Sequence, residues 1–273
     1  MSAAISVHHV EHVMGMAVSI DVRDLPAGSN AVGDVVSWLH RVDATFSTYR
    51  EDSEVTKVGR GEVGIEDLSP DVEEVFLRCI DLSERTNGAF DAFAVPAPNG
   101  TTLDPSGYVK GWSIEHAAHM LTAAGATNLC INAGGDIAIR GVPAPGKPWR
   151  VGVRHPDRAD KIALTLEFEG PMAIATSATY ERGAHILDPL SGEAVTDIAS
   201  ATVVGPDLGI ADAFATAVFV MGEDGLEWIE THEGYSAYII THDGVTRWSS
   251  RFPHPSSIEA TRQRVRDDAH ADK

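Results

Sequence analysis

The segment 209–217 carries an acidic side chain and a hydroxyl side chain at a spacing suited to a metal ion. Asp212 and Thr216 lie four residues apart in an alanine-rich stretch that favours a helix. Helical residues at that spacing share one face, with Cβ atoms about 5–6 Å apart. Carboxylate and hydroxyl oxygens at that separation suit a hard divalent cation. The pattern also fits a structural role, in which Asp212 caps the helix and Thr216 packs in a groove.

The segment 103–111 combines the features of a small anion site. Asp104, a Ser-Gly turn and Lys110 fall at the start of a predicted helix. The free N–H groups at a helix amino end attract anions, and a nearby lysine adds positive charge. An ordinary helix cap beside a solvated lysine has the same sequence, so both interpretations stay open.

A histidine comes shortly before a predicted turn in the segment 185–192. His185 precedes the pair Asp188-Pro189, and an imidazole there is suited to accept a proton or to hold a ligand. A lone histidine is also common as a turn or core residue. The run 132–136, which contains a Gly-Gly pair, predicts a tight turn between two strands and does not match the dinucleotide-binding fingerprint.

Composition narrows the class of ligand. The chain has 273 residues, of which 43% are hydrophobic and 22% charged, as is typical of a globular protein. Its 40 acidic residues outnumber its 21 basic ones, and the net charge of −19 argues against nucleic-acid binding. A phosphorylated small molecule would therefore need a local cation, a helix amino end or a divalent metal.

Sequence features also bear on compartment and on thiol chemistry. No apolar run reaches the roughly 18 residues of a membrane span, which predicts no membrane insertion. Residues 1–12 lack both a signal-peptide pattern and an early cysteine for lipid attachment, so we expect a cytoplasmic protein. Cys79 and Cys130 each stand alone in an apolar stretch and predict free, buried thiols. We assign three early histidines to a mobile N-terminus: His8, His9 and His12.

Periodicity predicts an α+β chain with mixed or antiparallel sheets and packed helices, because strands come in runs rather than in strict β-α-β alternation. The predicted helices span 30–43, 69–87, 107–124, 208–221 and 223–232. The predicted strands span 12–22, 128–132, 135–140, 149–154, 161–168, 172–177, 200–204, 235–241 and 245–249, and loops span 88–106 and 180–197. With no repeat or long linker, we expect one domain over 1–253 and a polar tail over 254–273.

Taken in order along the chain, these segments resemble the ApbE family. The likeness extends over about residues 10–250. The motifs that carry it are Met14-Gly15, Tyr49 with Asp52-Ser53-Glu54-Val55, Gly88-Ala89-Phe90-Asp91, Leu103-Asp104 with Lys110-Gly111, Asn132 with Gly134-Gly135-Asp136, Thr176-Ser177, the segment 185–192, and Ala211-Asp212-Ala213 with Thr216.

Members of that family are FAD:protein FMN transferases with a T-fold-like architecture. The resemblance implies a Mg²⁺-dependent enzyme that splits the pyrophosphate of FAD. It would attach FMN through a phosphoester to a Ser or Thr of an acceptor protein that carries a flavinylation motif, and release AMP. Two alternatives use the same site: an FAD pyrophosphatase that gives FMN and AMP, and a non-catalytic flavin-binding protein.

The resemblance also implies a role for each matching residue. Mg²⁺, or Mn²⁺ with similar oxygen ligands, would be held by Asp212, Thr216, a backbone oxygen at Gly107 and the carbonyl near Ala215. Flavin contacts would come from Met14, Tyr49, Ala89, Phe90, Asp91, Asp104, Lys110 and Leu187. His185 would take the proton of the acceptor hydroxyl, and Lys110 would act as counter-charge to the pyrophosphate. The family's usual Thr-Ser-Gly motif has Ala178 in place of its glycine.

Overall fold

A computed structural model describes residues 4–158, 160–179, 186–255 and 257–258. The helices in these ranges are α1 (Ala31–Phe46), α2 (Glu54–Gly59), α3 (Pro70–Arg85), α4 (Ser106–Ala123), α5 (Leu208–Met221) and α6 (Asp224–Glu230), with a 3-10 turn at Ile65–Asp67. The strands are β1 (Ala4–Val13), β2 (Met16–Pro26), β3 (Leu129–Ala133), β4 (Asp136–Arg140), β5 (Trp149–Arg154), β6 (Ile162–Phe168), β7 (Met172–Ala178), β8 (Ile198–Gly205), β9 (Ser236–Thr241), β10 (Thr246–Trp248) and β11 (Ser257–Ile258).

The strands form two antiparallel sheets. The larger has eight strands in the order β1-β2-β3-β4-β7-β8-β9-β10, and the smaller has three in the order β11-β6-β5. Two hairpins of the larger sheet turn through residue pairs with positive φ: Met14-Gly15, at 54° and 72°, and Gly134-Gly135, at 62° and 104°. Positive φ at both central residues matches the twist of the flanking strands, and glycine adopts it without strain.

The eight-stranded sheet is covered on both faces. Helices α1, α4 and α5 pack on one face and enclose the larger core, whereas the three-stranded sheet packs on the other and encloses a second core. The alternation along β4 shows the division, because Ala138 belongs to the first core while Ile137 and Ile139 belong to the second. A sheet buried on both sides explains why β8 is buried at every position.

The helix α3 follows directly from its sequence. Ser69 precedes it and Pro70 takes the first helical position, where a missing N–H is harmless. Its buried stripe comprises Val72, Val75, Cys79 and Leu82. The prediction of free thiols is confirmed for Cys79, which is buried, and for Cys130, which is half-buried. Burial raises the pKa of Cys130 to about 12, and that of Cys79 further, so neither thiol ionises readily.

The N-terminal region differs from the prediction. Instead of one strand over 12–22, the chain forms the β1–β2 hairpin, with residues 4–13 paired along β2. The assignment of His8, His9 and His12 to a mobile N-terminus was therefore wrong, since all three lie in β1. β1 is an edge strand with many exposed side chains, so its sequence lacks a clean apolar alternation. The helix α2, capped by Ser53, was also not predicted.

The C-terminal part described here ends in a strand. Ser257 pairs with Thr165, and Ile258 pairs with Leu164, so two residues of the predicted tail join the three-stranded sheet. Among the helices of the described ranges, none combines the length and the apolar character that a bilayer crossing requires.

Candidate active site

One cavity gathers most of the residues predicted to do chemistry. Its volume is about 830 Å³. The β1–β2 turn, the chain after α1, the loop before α4, the start of α4, the end of β7 and α5 all contribute to its wall. The predicted residues that line it are Met14, Tyr49, Ala89, Phe90, Asp91, Asp104, Gly107, Lys110, Leu187, Asp212 and Thr216.

Two predicted residues are not brought into this wall by the described part of the chain. Ala215 lies on α5 between Asp212 and Thr216, but its side chain is fully buried in the core. His185 falls in the gap between residues 179 and 186 and so lies outside the described residues. Like the roles predicted for the residues that do line the cavity, the roles of His185 and of the carbonyl near Ala215 stay predictions.

A buried ion cluster lies at the inner end of the cavity. Lys110 Nζ lies 2.9 Å from Asp136 Oδ2 and 3.8 Å from Asp212 Oδ1. The side chain of Lys110 is 19% exposed, that of Asp136 is 0% and that of Asp212 is 3%. Charged groups at such depth are stable only when paired and hydrogen-bonded, so the cluster fixes the direction of the Lys110 ammonium.

Asp212 is held in place by the close approach of two helices. Asp207 caps the start of α5 by accepting from the N–H of Ile210 at 2.9 Å. Asp212 Oδ2 then accepts a hydrogen bond from the backbone N–H of Gly111 on α4, at 3.0 Å. A Cβ atom at Gly111 would lie 2.3 Å from the carbonyl oxygen of Leu208, so only glycine allows the two backbones to come this near.

The two side chains on α5 that were predicted to hold a metal lie on one face of the helix. Thr216 follows Asp212 by one turn, and its hydroxyl lies 3.2 Å from the hydroxyl of Ser177 on β7. Gly107 faces the same point, because a Cβ atom placed there would lie 3.5 Å from Thr216 Oγ1. In a regular α-helix, the N–H of Gly111 donates to the carbonyl of Gly107. In this protein the same N–H donates to Asp212 Oδ2, so the two acceptors share one donor.

The donor set of this corner fits Mg²⁺ rather than a softer metal. It offers a carboxylate on Asp212, a hydroxyl on Thr216 and the backbone at Gly107, which are all oxygen ligands. The described ranges contain no cluster of three His, Cys, Asp or Glu side chains arranged to hold a metal by themselves. Mg²⁺ sites commonly use one or two carboxylates and complete their shell with water and substrate phosphates.

Asp136 is a site residue that the sequence prediction missed. The run 132–136 predicted a tight turn and was one of the motifs behind the resemblance, but Asp136 was given no site role; the structure has the turn at Gly134-Gly135. Asp136 comes immediately after it, at the first position of β4, with Oδ1 accepting from the Thr176 N–H at 3.1 Å. The signal available in the sequence was a carboxylate at the start of an otherwise apolar strand, a position that requires a partner when both faces are buried.

Asp104 bears on both interpretations of the segment 103–111, an ordinary helix start and part of a binding site. Its Oδ1 accepts from the N–H of Ser106 at 3.0 Å, which forms an Asx turn before α4, whose N-cap position is Pro105 without a side-chain cap. It also lines the cavity, as does Lys110 six residues further on. The approach to α4 is therefore both a turn fixed by Asp104 and part of the cavity wall.

Apolar and aromatic residues line a further part of the cavity. Ala89 and Phe90 are buried in its wall, whereas Tyr49 is 67% exposed at its edge. Leu187 lies in a short bridge with Ala194. Ala178 is buried at the end of β7 and also lines the cavity.

The predicted Asp-Pro turn is present beside this apolar part. Asp188 accepts from the N–H of Leu190 at 2.9 Å and from the hydroxyl of Ser191 at 2.8 Å. The backbone hydrogen bond from Leu190 is the main reason why the pKa of Asp188 is lowered. Asp188 therefore stays ionised and fixes the turn next to Leu187.

Comparison with known proteins identifies the family. A model described as the ApbE family matches residues 14–99 and 94–239, which include every described site residue named above. The chain belongs to the ApbE family. An FAD:protein FMN transferase of Haemophilus influenzae is 27% identical over 285 aligned positions, which cover 80% of this chain and 81% of that protein.

A further relative and a solved structure show how much of the chain the likeness covers. An FAD:protein FMN transferase of Klebsiella pneumoniae is 28% identical over 152 positions, and the match covers 52% of this chain but only 43% of that relative. The solved structure of the flavinyl transferase ApbE of Pseudomonas stutzeri, apo form, has a TM-score of 0.78 at 24% identity, covering 92% of this chain and 96% of that one. This likeness confirms the predicted α+β fold with antiparallel sheets and packed helices.

Proposed function

We propose that the chain is a Mg²⁺-dependent FAD:protein FMN transferase. Its curated ApbE relatives carry that name, and about 830 Å³ of cavity falls within the range of about 300–1,000 Å³ found for small-molecule sites. The observation that carries the proposal is the convergence of Asp212, Thr216 and Gly107 beside Lys110 in one cavity. An acidic protein needs such a cluster to bind a pyrophosphate.

The apolar and polar ends of the cavity suit the two parts of FAD. We assign the flavin contacts to the apolar part, where Phe90 and Tyr49 offer aromatic surface and Leu187 offers an aliphatic one. The pyrophosphate would lie at the inner end, next to the Lys110 ammonium. Asp136 and Asp212 hold that ammonium in place, so little reorganisation is needed when an anion arrives.

The metal would be held by Asp212, Thr216 and the backbone oxygen at Gly107, with the carbonyl near Ala215 as a further proposed ligand. Mg²⁺ bound there would polarise a phosphoryl oxygen and neutralise charge that develops on the pyrophosphate. The bond between Gly111 N–H and Asp212 Oδ2 fixes the carboxylate, and the contact with Ser177 fixes the Thr216 hydroxyl. These two contacts orient the ligands before any metal binds.

The transfer step breaks one phosphoanhydride bond and forms one phosphate ester bond. The hydroxyl oxygen of the acceptor Ser or Thr bonds to the phosphorus on the FMN side of FAD. The anhydride bond to the adenosine phosphate breaks, and AMP leaves with the electron pair. We assign the released hydroxyl proton to His185, on the ground of the family resemblance alone, since that residue lies beyond the described ranges.

The test measures AMP release and covalent flavin together. The purified chain is given FAD and the acceptor protein of the Haemophilus influenzae relative, prepared without flavin, in Mg²⁺ or in EDTA. We expect one FMN attached to the acceptor for each AMP released, and neither product in EDTA. AMP and free FMN without an adduct would instead establish the pyrophosphatase. FAD binding with no product from folded protein would establish a non-catalytic flavin-binding protein.

A matched pair of variants on α5 tests the metal assignment. Asp212→Asn removes the charged ligand, so we expect metal-dependent AMP release to fall by about 10²-fold or more. Asp207→Asn makes the same chemical change five residues earlier, at a cap position where asparagine serves equally well, and should leave AMP release near the wild-type rate. Equal rates for the two variants would refute the role of Asp212.

A further inference from the structure

A second cavity adjoins the candidate active site. Its volume is about 520 Å³. It shares Lys110, Thr176 and the β1–β2 turn with the first cavity, so the two cavities meet at these residues. We call it the β5 groove, because Val151 to Arg154 of β5 line it together with the Gly134-Gly135 turn.

The β5 groove exposes the main chain of a strand edge. The side chains of Val151 and Val153 are buried in the second core, while position 152 and Arg154 point to the opposite face. Side chains of consecutive strand residues point to opposite faces of the sheet. All four residues 151–154 therefore line the cavity through the main chain along the edge of β5. Within the described residues, β5 is the terminal strand of its sheet, with β6 on its other side. An edge of this kind binds an extended polypeptide by main-chain hydrogen bonds.

The groove lies where a second substrate must approach. Phosphoryl transfer places the attacking and leaving oxygens roughly in line, on opposite sides of the phosphorus. A site at Lys110 therefore needs one space for FAD and a separate approach for the acceptor hydroxyl. The first cavity already has the size of a whole small-molecule site, which leaves the groove for the acceptor.

The charge of the groove favours a segment that is not basic. Its charged lining side chains, among the described residues, are Lys110 and Arg154, both cationic, although the whole chain has a net charge of −19. The first cavity, in contrast, includes Asp43, Asp91 and Asp104 in its wall. Lys110 is paired with Asp136 and Asp212 inside the protein, so the positive charge that the groove presents at its surface comes from Arg154. A neutral or acidic acceptor segment fits beside that charge better than a basic one.

We infer that the β5 groove docks the acceptor protein, whose segment around the modified Ser or Thr pairs with the open edge of β5 as an added strand. This inference rests on the proposed function. An acceptor strand paired with the edge of β5 would bring its hydroxyl along the groove to Lys110 and Thr176, where the two cavities meet. Pockets beside the strand would then select side chains, while the backbone bonds supply affinity.

Amide hydrogen exchange tests the strand pairing in the wild-type chain. On adding the flavin-free acceptor protein of the Haemophilus influenzae relative, we expect exchange at residues 151–154 to slow by about tenfold or more. The amides of β10, the terminal strand at the far side of the larger sheet, provide the control and should be unchanged. Unchanged exchange at 151–154 with bound acceptor would overturn the proposal.

A charge-reversal pair tests the groove by kinetics. Arg154→Glu changes a groove residue, whereas Arg150→Glu makes the same change on the same exposed side of β5 but outside the groove. We expect Arg154→Glu to raise the KM for the acceptor by about tenfold and to leave the KM for FAD unchanged, with Arg150→Glu near wild type in both. Thermal melts of both variants check that each is folded.

The outcomes separate this proposal from the function on which it rests. A raised KM for FAD with an unchanged KM for the acceptor would mean that the groove holds the AMP half of FAD, and would overturn the docking proposal. Equal acceptor KM values for both variants would overturn it as well. Failure of the wild-type chain to transfer FMN at all would refute the proposed function itself, before either variant is compared.

Discussion

The two faces of the eight-stranded sheet are built from different side chains and serve different ends. On the face covered by α4 and α5, the two central strands, β4 and β7, contribute alanines to the core (Ala138, Ala173 and Ala175), and larger residues such as Ile131, Val203 and Ile239 come from the other strands of the sheet. On the face covered by the three-stranded sheet, the strands contribute large residues: Ile137, Ile139, Ile174, Val204, Tyr238 and Ile240. Small side chains let the helices lie close to the sheet, whereas large ones fill the space between two sheets.

The difference shows how one strand separates chemistry from stability. In β4 the side chain of Asp136 points to Lys110 on α4, while the next residue, Ile137, points into the opposite core. The pleat alone sends a carboxylate to one face and an isoleucine to the other. The face covered by the helices can carry a buried ion cluster because the opposite face contributes apolar burial that does not depend on that cluster.

The largest expected effect comes from Gly111, where the helical face is most crowded. A Cβ atom there would lie 2.3 Å from the carbonyl oxygen of Leu208 and 2.9 Å from Asp212 Cβ. Gly111→Ala must push α5 away from α4, so we expect a loss of about 3 kcal/mol in unfolding free energy, together with loss of FAD turnover. Urea unfolding and AMP release measure the two effects.

The matched control for Gly111 is a glycine on a different helix. At Gly33 of α1, a Cβ atom would meet only the flexible side chain of Asn30. Gly33→Ala should therefore keep wild-type stability or gain up to about 1 kcal/mol from helix propensity. If Gly111→Ala proved as stable and active as Gly33→Ala, the close helix contact would not be what holds Asp212.

The second effect in size concerns the ion cluster of the same face. Asp136→Asn keeps the shape of the side chain but removes the charge facing Lys110, which keeps Asp212 as a partner, so we expect a loss of about 2 kcal/mol in stability. AMP release should fall too, since the ammonium loses one of the groups that orient it. Lys110→Met in the Asp136→Asn background should cost less stability than in wild type, with a coupling of about 1–3 kcal/mol.

This double-mutant cycle has a clear negative outcome. Additive losses for the two substitutions would mean that the 2.9 Å contact between Lys110 and Asp136 contributes nothing of its own. The face covered by the helices would then be stabilised by packing alone.

The third effect in size concerns the face of the larger sheet that the three-stranded sheet covers. Ile139 is fully buried in the second core, and Ile139→Val removes one methyl group, which should cost about 1 kcal/mol of stability. Because Ile139 lies on the side of β4 away from Lys110, the FAD dissociation constant and AMP release should stay at wild-type values. A tenfold fall in AMP release from a folded Ile139→Val protein would contradict the separation of the two faces.

The sequence predicts much of this arrangement where the relevant contacts are local. The stripe of α3, the shared face of Asp212 and Thr216, and the Gly134-Gly135 turn all depend on residues a few positions apart. The pairing of Lys110 with Asp136 depends on how α4 lies across β4, which no local pattern encodes. The β1–β2 hairpin escaped prediction because its turn begins with a methionine at positive φ rather than with glycine.

The smallest expected effect concerns a carboxylate outside both buried faces. Asp24, on β2, accepts hydrogen bonds from the side chains and backbone N–H groups of Thr127 and Asn128. Burial alone would raise its pKa, but these hydrogen bonds outweigh that effect and lower it below the usual Asp value. Unlike Asp136, it is held mainly by hydroxyl and amide donors.

The pH dependence of stability follows from the sign of that shift. A carboxylate whose pKa is lowered by folding stabilises the native state above its unfolded pKa of about 3.9, and this stabilisation is lost as the pH falls through the folded value. Asp24→Asn should therefore be less stable than wild type by about 0.5 kcal/mol, with a difference that is constant from pH 5 to 8 and shrinks below about pH 4. Urea unfolding at pH 7, 5, 4 and 3.5 measures it. A difference that grew on acidification would mean that folding raises the Asp24 pKa, and that burial outweighs the donors of Thr127 and Asn128.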